Sequence, residues 1–261
     1  MAILERMNNM TKVLMHGCNG KIGRAITRLI NEHEDIEIVA GIDPYLEVPN
    51  TYPVFSTIHE CTVPADVVID FSTATAVSSL IDYCKAHHLP AVICTTGLSE
   101  EAITELKEAS KVIPIFFSAN MSLGVNLLIA LAKRATEILC DSGFDIEIIE
   151  KHHNQKIDAP SGTALAIADA INDTLDHAYT YRYDRSTVRE KRPKKEIGIH
   201  AVRGGTIVGE HDILFAGNDE FITLSHQATS KEVFASGAIK AAKFLTHKAP
   251  GLYDMDHLLN A

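Results

Sequence analysis

The stretch that decides the fold is KVLMHGCNGKIGRAITRLI, residues 12–30. It begins with a short apolar run typical of a buried strand, continues through a turn with glycines at 17, 20 and 23, and ends with apolar residues at helical spacing. A strand, a glycine-rich turn and an amphipathic helix in this order open a βαβ unit. A parallel sheet is therefore predicted to begin at Lys12.

The same alternation continues along the first half of the chain. Strand-like segments are predicted at 36–42, 67–71, 91–95 and 112–117, with helix-like segments at 76–87 and 100–109. After Asn120 a helix-like run at 123–139 leads into alternating segments at 144–150, 196–202, 210–215 and 221–225, and a last helix is predicted at 233–245.

We therefore predict an α/β protein, with a Rossmann-type doubly wound parallel sheet and a second α+β domain that has a mixed or antiparallel sheet. The predicted domains are 1–121 with 231–261 for dinucleotide binding, and 122–230 for substrate binding and oligomerisation. Residues 1–10 are interpreted as a start-site extension with no structural role.

Composition limits the partners. A net charge of -10 and a pI near 5.7 argue against nucleic acid and anionic membranes, which bind basic surfaces. The five cysteines are odd in number and never form C-x-x-C, so no disulfide framework or thiolate zinc site is predicted. No apolar run approaches the ~20 residues of a membrane span. We expect a cytoplasmic protein.

A basic run lies between residues 182 and 195. It favours nucleic-acid binding at first sight, but in an acidic chain an exposed loop is the preferred interpretation. The run consists of Arg182, Arg185, Arg189, Lys191, Arg192, Lys194 and Lys195.

The turn from Gly17 to Gly23 lies where backbone N–H groups and a helix N-terminus can hold a pyrophosphate. Its glycine spacing differs from the usual G-x-G-x-x-G, so a tight turn that binds nothing is the alternative. Asp43 ends the second predicted strand, where an acidic side chain commonly accepts hydrogen bonds from the adenine ribose. Asp43-Pro44 could also simply start a turn. No arginine follows Asp43, so NADH is slightly favoured, with NADPH also accepted.

A second cluster follows the strand predicted at 144–150. Two imidazoles and two ammonium groups occur within Lys151-His152-His153-Asn154-Gln155-Lys156, and Pro160-Ser161-Gly162 then begins an Ala-rich helix. Cations beside backbone N–H groups favour a carboxylate receptor, although a solvated loop is the simpler alternative. Asp158 could be the helix cap. The spacing lacks H-E-x-x-H, so no catalytic metal is predicted.

These segments, together with RGGTIVGEH at 203–211 and FASGA at 234–238, closely resemble the signature of the dihydrodipicolinate reductase family over nearly the whole chain. The resemblance implies reduction of 4-hydroxy-tetrahydrodipicolinate, a small cyclic dicarboxylate, to tetrahydrodipicolinate with NAD(P)H and loss of water, in lysine and diaminopimelate biosynthesis. It also implies a homotetramer.

Site residues are implied by the same resemblance. His152 is the candidate general acid and Lys156 its partner, while the substrate contacts are His153, Gly162 and Thr163. The implied cofactor contacts are Gly17, Cys18, Asn19, Gly20, Lys21, Ile22, Asp43, Cys94, Thr95, Thr96, Ser118, Ala119, Asn120 and Met121. Cys94 replaces a common glycine, and Asn19 replaces a small residue.

Two other functions compete with this interpretation. An amino-acid dehydrogenase acting on another imine would share the cofactor half but has no evident need for the cluster around His152. A non-catalytic dinucleotide sensor could dispense with His152 and Lys156, yet both are present. His211 and His226 lie on strand-like segments and are interpreted as satisfied structural histidines, with a role at the edge of the site left open for His211.

Overall fold

The described residues are 10–261 of a computed structural model, so the extension proposed at residues 1–10 lies outside them except for Met10. Strand β1 (Thr11–His16) pairs in parallel with β2 (Ile36–Ile42) on one side and with β4 (Val67–Asp70) on the other. The chain thus winds outward from β1 in both directions, as predicted for a doubly wound sheet.

The first unit comprises the described residues up to Leu123 together with Glu232–Ala261. Its seven strands are all parallel and run in the order β12-β6-β5-β4-β1-β2-β3. The elements not yet given are α1 (Lys21–Ile30), β3 (Val54–Phe55), α2 (Ala74–His87), β5 (Ala91–Ile93), α3 (Glu100–Ala109), β6 (Pro114–Phe117), α6 (Glu232–Leu245), β12 (Gly251–Tyr253) and α7 (Met255–Leu259), with a 3-10 turn at Ile58–Glu60.

Both faces of this sheet are covered. Val13 and Met15 contribute to one apolar core together with α1 and α6, while Leu14, between them, contributes to the other core with α2 and α3. Because successive side chains of a strand point to opposite faces, a strand buried on both sides reads as a continuous apolar run. This explains why β1 could be recognised from sequence alone.

The second unit is Gly124–Lys231. Its five-stranded sheet has the order β11-β10-β7-β9-β8, with β7, β8 and β9 mutually parallel and β10 antiparallel to both β7 and β11. Its elements are α4 (Leu123–Leu139, which begins at the boundary), a 3-10 turn at Cys140–Ser142, β7 (Asp145–His152), α5 (Gly162–Thr174), β8 (Thr180–Arg182), β9 (Glu196–Arg203), β10 (Gly209–Ala216) and β11 (Phe221–Ala228).

One face of the mixed sheet packs against α4 and α5. Leu128 of α4 and Ile167 of α5 share a buried cluster with alternate strand residues such as Ile146, Ile148 and Phe215. On β7 the buried and half-exposed residues alternate strictly, which is the pattern of a sheet with one covered face. None of the helices in the described part of the chain is long and apolar enough to cross a bilayer.

The basic run is only in part the exposed loop that the sequence favoured: Arg189, Lys191, Lys194 and Lys195 are exposed, whereas its other three members are half-buried. Arg182 and Arg185 both pair with Glu196, which is buried, and Arg192 pairs with Asp145 at 2.8 Å and Glu147 at 2.9 Å. The long arginine side chains reach carboxylates on neighbouring strands, a contact that one-dimensional charge patterning does not reveal. Arg182 and Arg185 are therefore paired with β9, and Arg192 with β7 at the centre of the sheet.

Gly237, in α6, offers a test of how tightly this helix packs. A Cβ there would lie 1.7 Å from the carbonyl oxygen of Met121, which is backbone and cannot rotate away. We expect Gly237→Ala to lower the free energy of unfolding by ~1–3 kcal/mol through overpacking, although alanine favours helix by ~1 kcal/mol. Urea denaturation measures the change. Gly204→Ala, where a Cβ meets nothing within 4 Å, is the control, and equal stability of both variants would contradict the packing argument.

Candidate active site on two units

In the first unit, glycines in the turn after β1 allow neighbouring backbone segments to approach each other closely. Gly17 has φ +79°, and a Cβ on it would lie 2.5 Å from the carbonyl oxygen of Phe71. A Cβ on Gly23 would lie 2.2 Å from the carbonyl oxygen of Gly17. Gly20, the N-cap of α1, is exposed, and a Cβ there would meet only Gly17 within 4 Å. The N-terminus of α1 is thus open to an anionic group.

A cavity of about 670 Å³ lies at the carboxyl ends of β1, β2 and β4. This is the topological switch point of the sheet, where doubly wound proteins bind nucleotides. Of the predicted cofactor contacts, Gly17, Asn19, Gly20 and Asp43 line the cavity. Sequence reasoning missed the other residues of the wall, among them Phe71, Ser72 and Thr73, which lie at the end of a strand that no glycine motif follows.

Asp43 holds the turn in place. Its Oδ2 accepts a hydrogen bond from the Asn19 backbone N–H at 3.0 Å, and its Oδ1 accepts one from the Tyr45 N–H at 3.0 Å. The amide of Asn19 donates to the Tyr45 carbonyl and accepts from Asn50 at 2.9 Å. Asn19, which stands where a small residue was expected, therefore links the glycine turn to the segment after β2.

A second buried carboxylate, Asp70, joins three strand ends. It accepts hydrogen bonds from His16 Nδ1 at 2.7 Å, from Ser72 Oγ at 2.6 Å and from Thr95 Oγ1 at 2.6 Å. Asp70 is fully buried, and a buried carboxylate requires such donors. The hydroxyl of Thr95, a predicted cofactor contact, is thus used within the protein.

The remaining predicted cofactor contacts lie outside the cavity wall. Cys18 and Cys94 are buried, and burial is the main cause that raises the pKa of Cys18 to about 12 and that of Cys94 well above its usual value. Both thiols therefore pack as apolar groups. Lys21, Thr96 and Ala119 are exposed, Ile22, Ser118 and Asn120 are half-buried, and Met121 is buried.

In the second unit, Glu150 is the centre of a buried network. Its Oε1 accepts from Arg203 at 2.7 Å and from the Ser161 backbone N–H at 2.9 Å, while its Oε2 accepts from Arg203 at 2.8 Å and contacts His152 Nδ1 at 2.6 Å. Burial alone would raise the pKa of Glu150, but the hydrogen bonds from Arg203, His152 and Ser161 hold it below its usual value.

This network determines which nitrogen of His152 can act. An ionised carboxylate only accepts, so Nδ1 of His152 carries the proton that is shared with Glu150. Nε2 is left to exchange a proton with another molecule. A Cβ on Gly209 would lie 3.1 Å from Nε2, so glycine at that position keeps the space beside this nitrogen open.

The loop after β7 carries an anion-binding arrangement. Lys156 Nζ lies 2.8 Å from the carboxylate of Asp158. Hydrogen bonds from Lys156 and, to a smaller extent, from the backbone of Gly162 hold the pKa of Asp158 below its usual value. The N-cap of α5 is Ser161, whose Oγ accepts from the Ala164 N–H, so the interpretation of Asp158 as the cap is corrected. Thr163 is half-buried in the first turn.

The four cations of the sequence cluster do not all lie on one face of the sheet. Strand β7 extends through His152, two residues beyond its predicted end, because it pairs with β9 up to Arg203 and with β10. Lys151 consequently lies on the opposite face from His152 and pairs with Glu210 at 3.0 Å and Asp212 at 3.1 Å. His153 is half-buried, and its Nδ1 has no hydrogen-bond partner among the described residues.

Glu150 and Arg203 were missed as members of the site, whereas Ser161 had been placed in the predicted carboxylate receptor and a role at the edge of the site had been left open for His211. The signal for Glu150 was its position two residues before His152, which places both side chains on one face of a strand. His211 and His226 are not satisfied as predicted, since Nδ1 of each has no hydrogen-bond partner in the described part of the chain.

A nucleotide-sized cavity at the switch point of one unit and a carboxylate-oriented imidazole in the other define a nicotinamide-dependent oxidoreductase. Residues 11–121 match the family described as dihydrodipicolinate reductase, N-terminus, and residues 124–259 match dihydrodipicolinate reductase, C-terminus. The chain belongs to the dihydrodipicolinate reductase family.

Individual relatives agree. A 4-hydroxy-tetrahydrodipicolinate reductase of Caldanaerobacter subterraneus subsp. tengcongensis is 56% identical over 96% of this chain and 98% of its own. Its counterpart from Clostridium tetani is 52% identical over 97% and 98%. A solved dihydrodipicolinate reductase from Paenisporosarcina sp. TG-14, with dipicolinate bound, has a TM-score of 0.80 at 27% identity and covers 94% of this chain and 97% of that one.

The buried carboxylate predicts a pH-dependent stability. Since the pKa of folded Glu150 is below the ordinary 4.5, its stabilising effect is present above that pH and is lost as the pH falls through the lower folded value. We expect Glu150→Gln to be less stable than wild type by about 3 kcal/mol at pH 7, as for one partner removed from a buried ion pair, and the gap to shrink in acid.

Urea denaturation at pH 7 and in acid measures this gap. Glu137→Gln is the matched control, because Glu137 pairs with Arg134 on the surface and such pairs contribute ~0–1 kcal/mol. A gap between wild type and Glu150→Gln that stays constant with pH would contradict the assignment.

Proposed function

We propose that this protein reduces 4-hydroxy-tetrahydrodipicolinate to tetrahydrodipicolinate with NAD(P)H and loss of water, in lysine and diaminopimelate biosynthesis. Family membership and the relatives named for this reaction support the proposal. The observation that carries it in this chain is the buried Glu150–His152 pair beside the start of α5 and Lys156. A bound nicotinamide supplies the hydride, and the chain supplies proton transfer, charge and position.

His152 is the proposed general acid. Glu150 orients its ring through Nδ1 at 2.6 Å, so Nε2 delivers the proton to the carbon adjacent to the one that accepts the hydride. A positioned acid of this kind commonly contributes ~100- to 10,000-fold to the rate. Lys156 is the proposed partner of His152 in this step.

The substrate carboxylates are proposed to bind Lys156 and the first residues of α5, Gly162 and Thr163, with His153 beside them. Asp158 supports this, because its carboxylate already takes hydrogen bonds from Lys156 at 2.8 Å and from the Gly162 backbone. These donors thus have the geometry that a carboxylate requires. A substrate carboxylate can use the same donors.

The proposed cofactor site is the cavity of the first unit. Gly17 to Ile22 would hold the pyrophosphate at the N-terminus of α1, and Asp43 the adenine ribose, while Cys94 to Thr96 and Ser118 to Met121 are proposed to complete the contacts. Among the described residues that line the cavity there is no lysine or arginine. A 2′-phosphate beside Asp43 would be repelled, which favours NADH over NADPH.

A cytoplasmic homotetramer formed through the sheet of the second unit is part of the proposal. The edge strand β11 supports it, since Phe221 is 75% exposed and Ile222 lies beside it in the sequence, also exposed. Apolar side chains on an exposed sheet edge are typical of an interface.

Replacement of the proposed acid tests the chemistry. We expect His152→Gln to lower turnover by ~100-fold or more while the Kd for NADH stays nearly unchanged, because the imidazole acts in the proton-transfer step. Stopped-flow kinetics and NADH titration separate the two effects. Unchanged turnover would remove His152 from its role. The control is His177→Gln, at a histidine of the same unit whose side chain is 75% exposed.

Replacement of Asp43 tests the cofactor site. We expect Asp43→Ala to raise the Kd for NADH by ~10-fold, through loss of the ribose contact and of the hydrogen bonds to Asn19 and Tyr45. Calorimetry with NADH and NADPH measures it. The ratio of the Kd for NADPH to the Kd for NADH should be smaller in this variant than in wild type. An equal NADH affinity of variant and wild type would refute the ribose contact.

The reaction itself is tested by loss of NADH absorbance when the purified protein meets freshly generated 4-hydroxy-tetrahydrodipicolinate. Rapid oxidation that depends on His152 is the expected result. If NADH binds but is not oxidised, the proposed function is wrong, and reduction of a different imine or dinucleotide sensing takes its place.

A further inference from the structure

His211 is placed where it contacts both halves of the candidate substrate site. It lies on β10 directly opposite Glu150 of β7, and only 3% of the residue is exposed. Its ring packs edge-on against His152, with ring centroids 5.3 Å apart and an interplanar angle of 74°. Its Nε2 lies 3.1 Å from Ser161 Oγ, the cap of α5.

Burial and the surrounding titratable groups together set the protonation of His211. His152 and Glu150 face it from β7, His226 from β11 and Lys156 from the loop. Burial is the main cause that lowers the pKa of His211 to about 4, and the nearby imidazole of His152 lowers it further. His211 is therefore a neutral imidazole at neutral pH, so it places no second positive charge beside His152.

The hydrogen bonds of Ser161 favour one tautomer of that imidazole. Ser161 Oγ already accepts from the Ala164 N–H at 3.1 Å, so its own proton can be donated to Nε2 of His211. The proton of His211 then lies on Nδ1, which is buried without a hydrogen-bond partner in the described residues. Polar atoms left in this state are unfavourable and uncommon in folded proteins, and they occur at functional sites.

We infer that His211 is a positioning residue that acts through two separable contacts, holding the ring of His152 for proton transfer and the Ser161 cap for carboxylate binding at α5. Its ring edge limits rotation of His152 about the bond to Glu150. Its Nε2 accepts the hydroxyl proton of Ser161, so that the Ser161 oxygen stays free to accept the hydrogen bond from the Ala164 N–H. The kinetic contact rests on the proposed reaction, and the contact with Ser161 rests on the proposed carboxylate site at α5.

Two variants separate the contacts. His211→Phe keeps a ring against His152 but gives Ser161 no acceptor, so the Kd for dipicolinate should rise ~2- to 10-fold, the net effect of one hydrogen bond, with kcat little changed. His211→Gln keeps a polar partner for Ser161 but removes the ring, so kcat should fall ~10- to 100-fold from misplacement of the acid, with the dipicolinate Kd little changed.

The measurements are calorimetry with dipicolinate on the NADH-loaded enzyme, kcat from NADH oxidation, and the pH dependence of kcat/KM. The control is His177→Gln, at a histidine in the same unit whose side chain is 75% exposed. Since His211 is neutral in the working range, both variants should keep the shape of the wild-type pH profile.

The inference would be established by a higher dipicolinate Kd with little change in kcat for His211→Phe, together with a lower kcat with little change in Kd for His211→Gln. The inference would be overturned if kcat and dipicolinate affinity both fell in both variants, or if neither fell in either variant. A change in the shape of the pH profile of kcat/KM would also overturn it. If wild-type enzyme does not oxidise NADH with the proposed substrate, the proposed function fails by itself, while the dipicolinate affinities still decide the contact with Ser161.

Discussion

The second unit depends on one buried carboxylate. Glu150 is fully buried and joins three separate segments, because Arg203 comes from β9, His152 from the end of β7 and Ser161 from the start of α5. A buried charge is stable only when its lone pairs are occupied. The same requirement that stabilises the fold therefore fixes the orientation of the imidazole and the position of the helix N-terminus.

The first unit repeats this design with Asp70. That carboxylate joins the ends of β1, β4 and β5 through His16, Ser72 and Thr95. The carboxyl ends of parallel strands are where loops carry function, and loops are otherwise the least constrained parts of a sheet. A buried acceptor at this edge gives the cavity wall a defined shape.

Sequence alone predicted the fold class, most element bounds and the family, because the first sheet is made of uniformly apolar strands and one long signature surrounds His152. It missed β3, β8 and β12, which are too short for periodicity to register. It also missed the network around His152, which consists of Glu150, bonded to His152, Arg203, paired with Glu150, and His211, whose ring packs against His152. Their proximity follows from strand pairing between β7, β9 and β10, which is a long-range property that no local pattern contains.

The order of the units along the chain has a consequence for synthesis. The core beneath the parallel sheet includes Ala235, Ala238 and Ile239 of α6, which follow the whole of Gly124–Lys231. A ribosome therefore delivers the complete mixed-sheet unit while the first unit still lacks α6, β12 and α7. Because domains can fold as they emerge, the second unit can fold before the first unit is complete. A chain truncated near residue 231 would therefore contain all of the second unit but only an incomplete first unit.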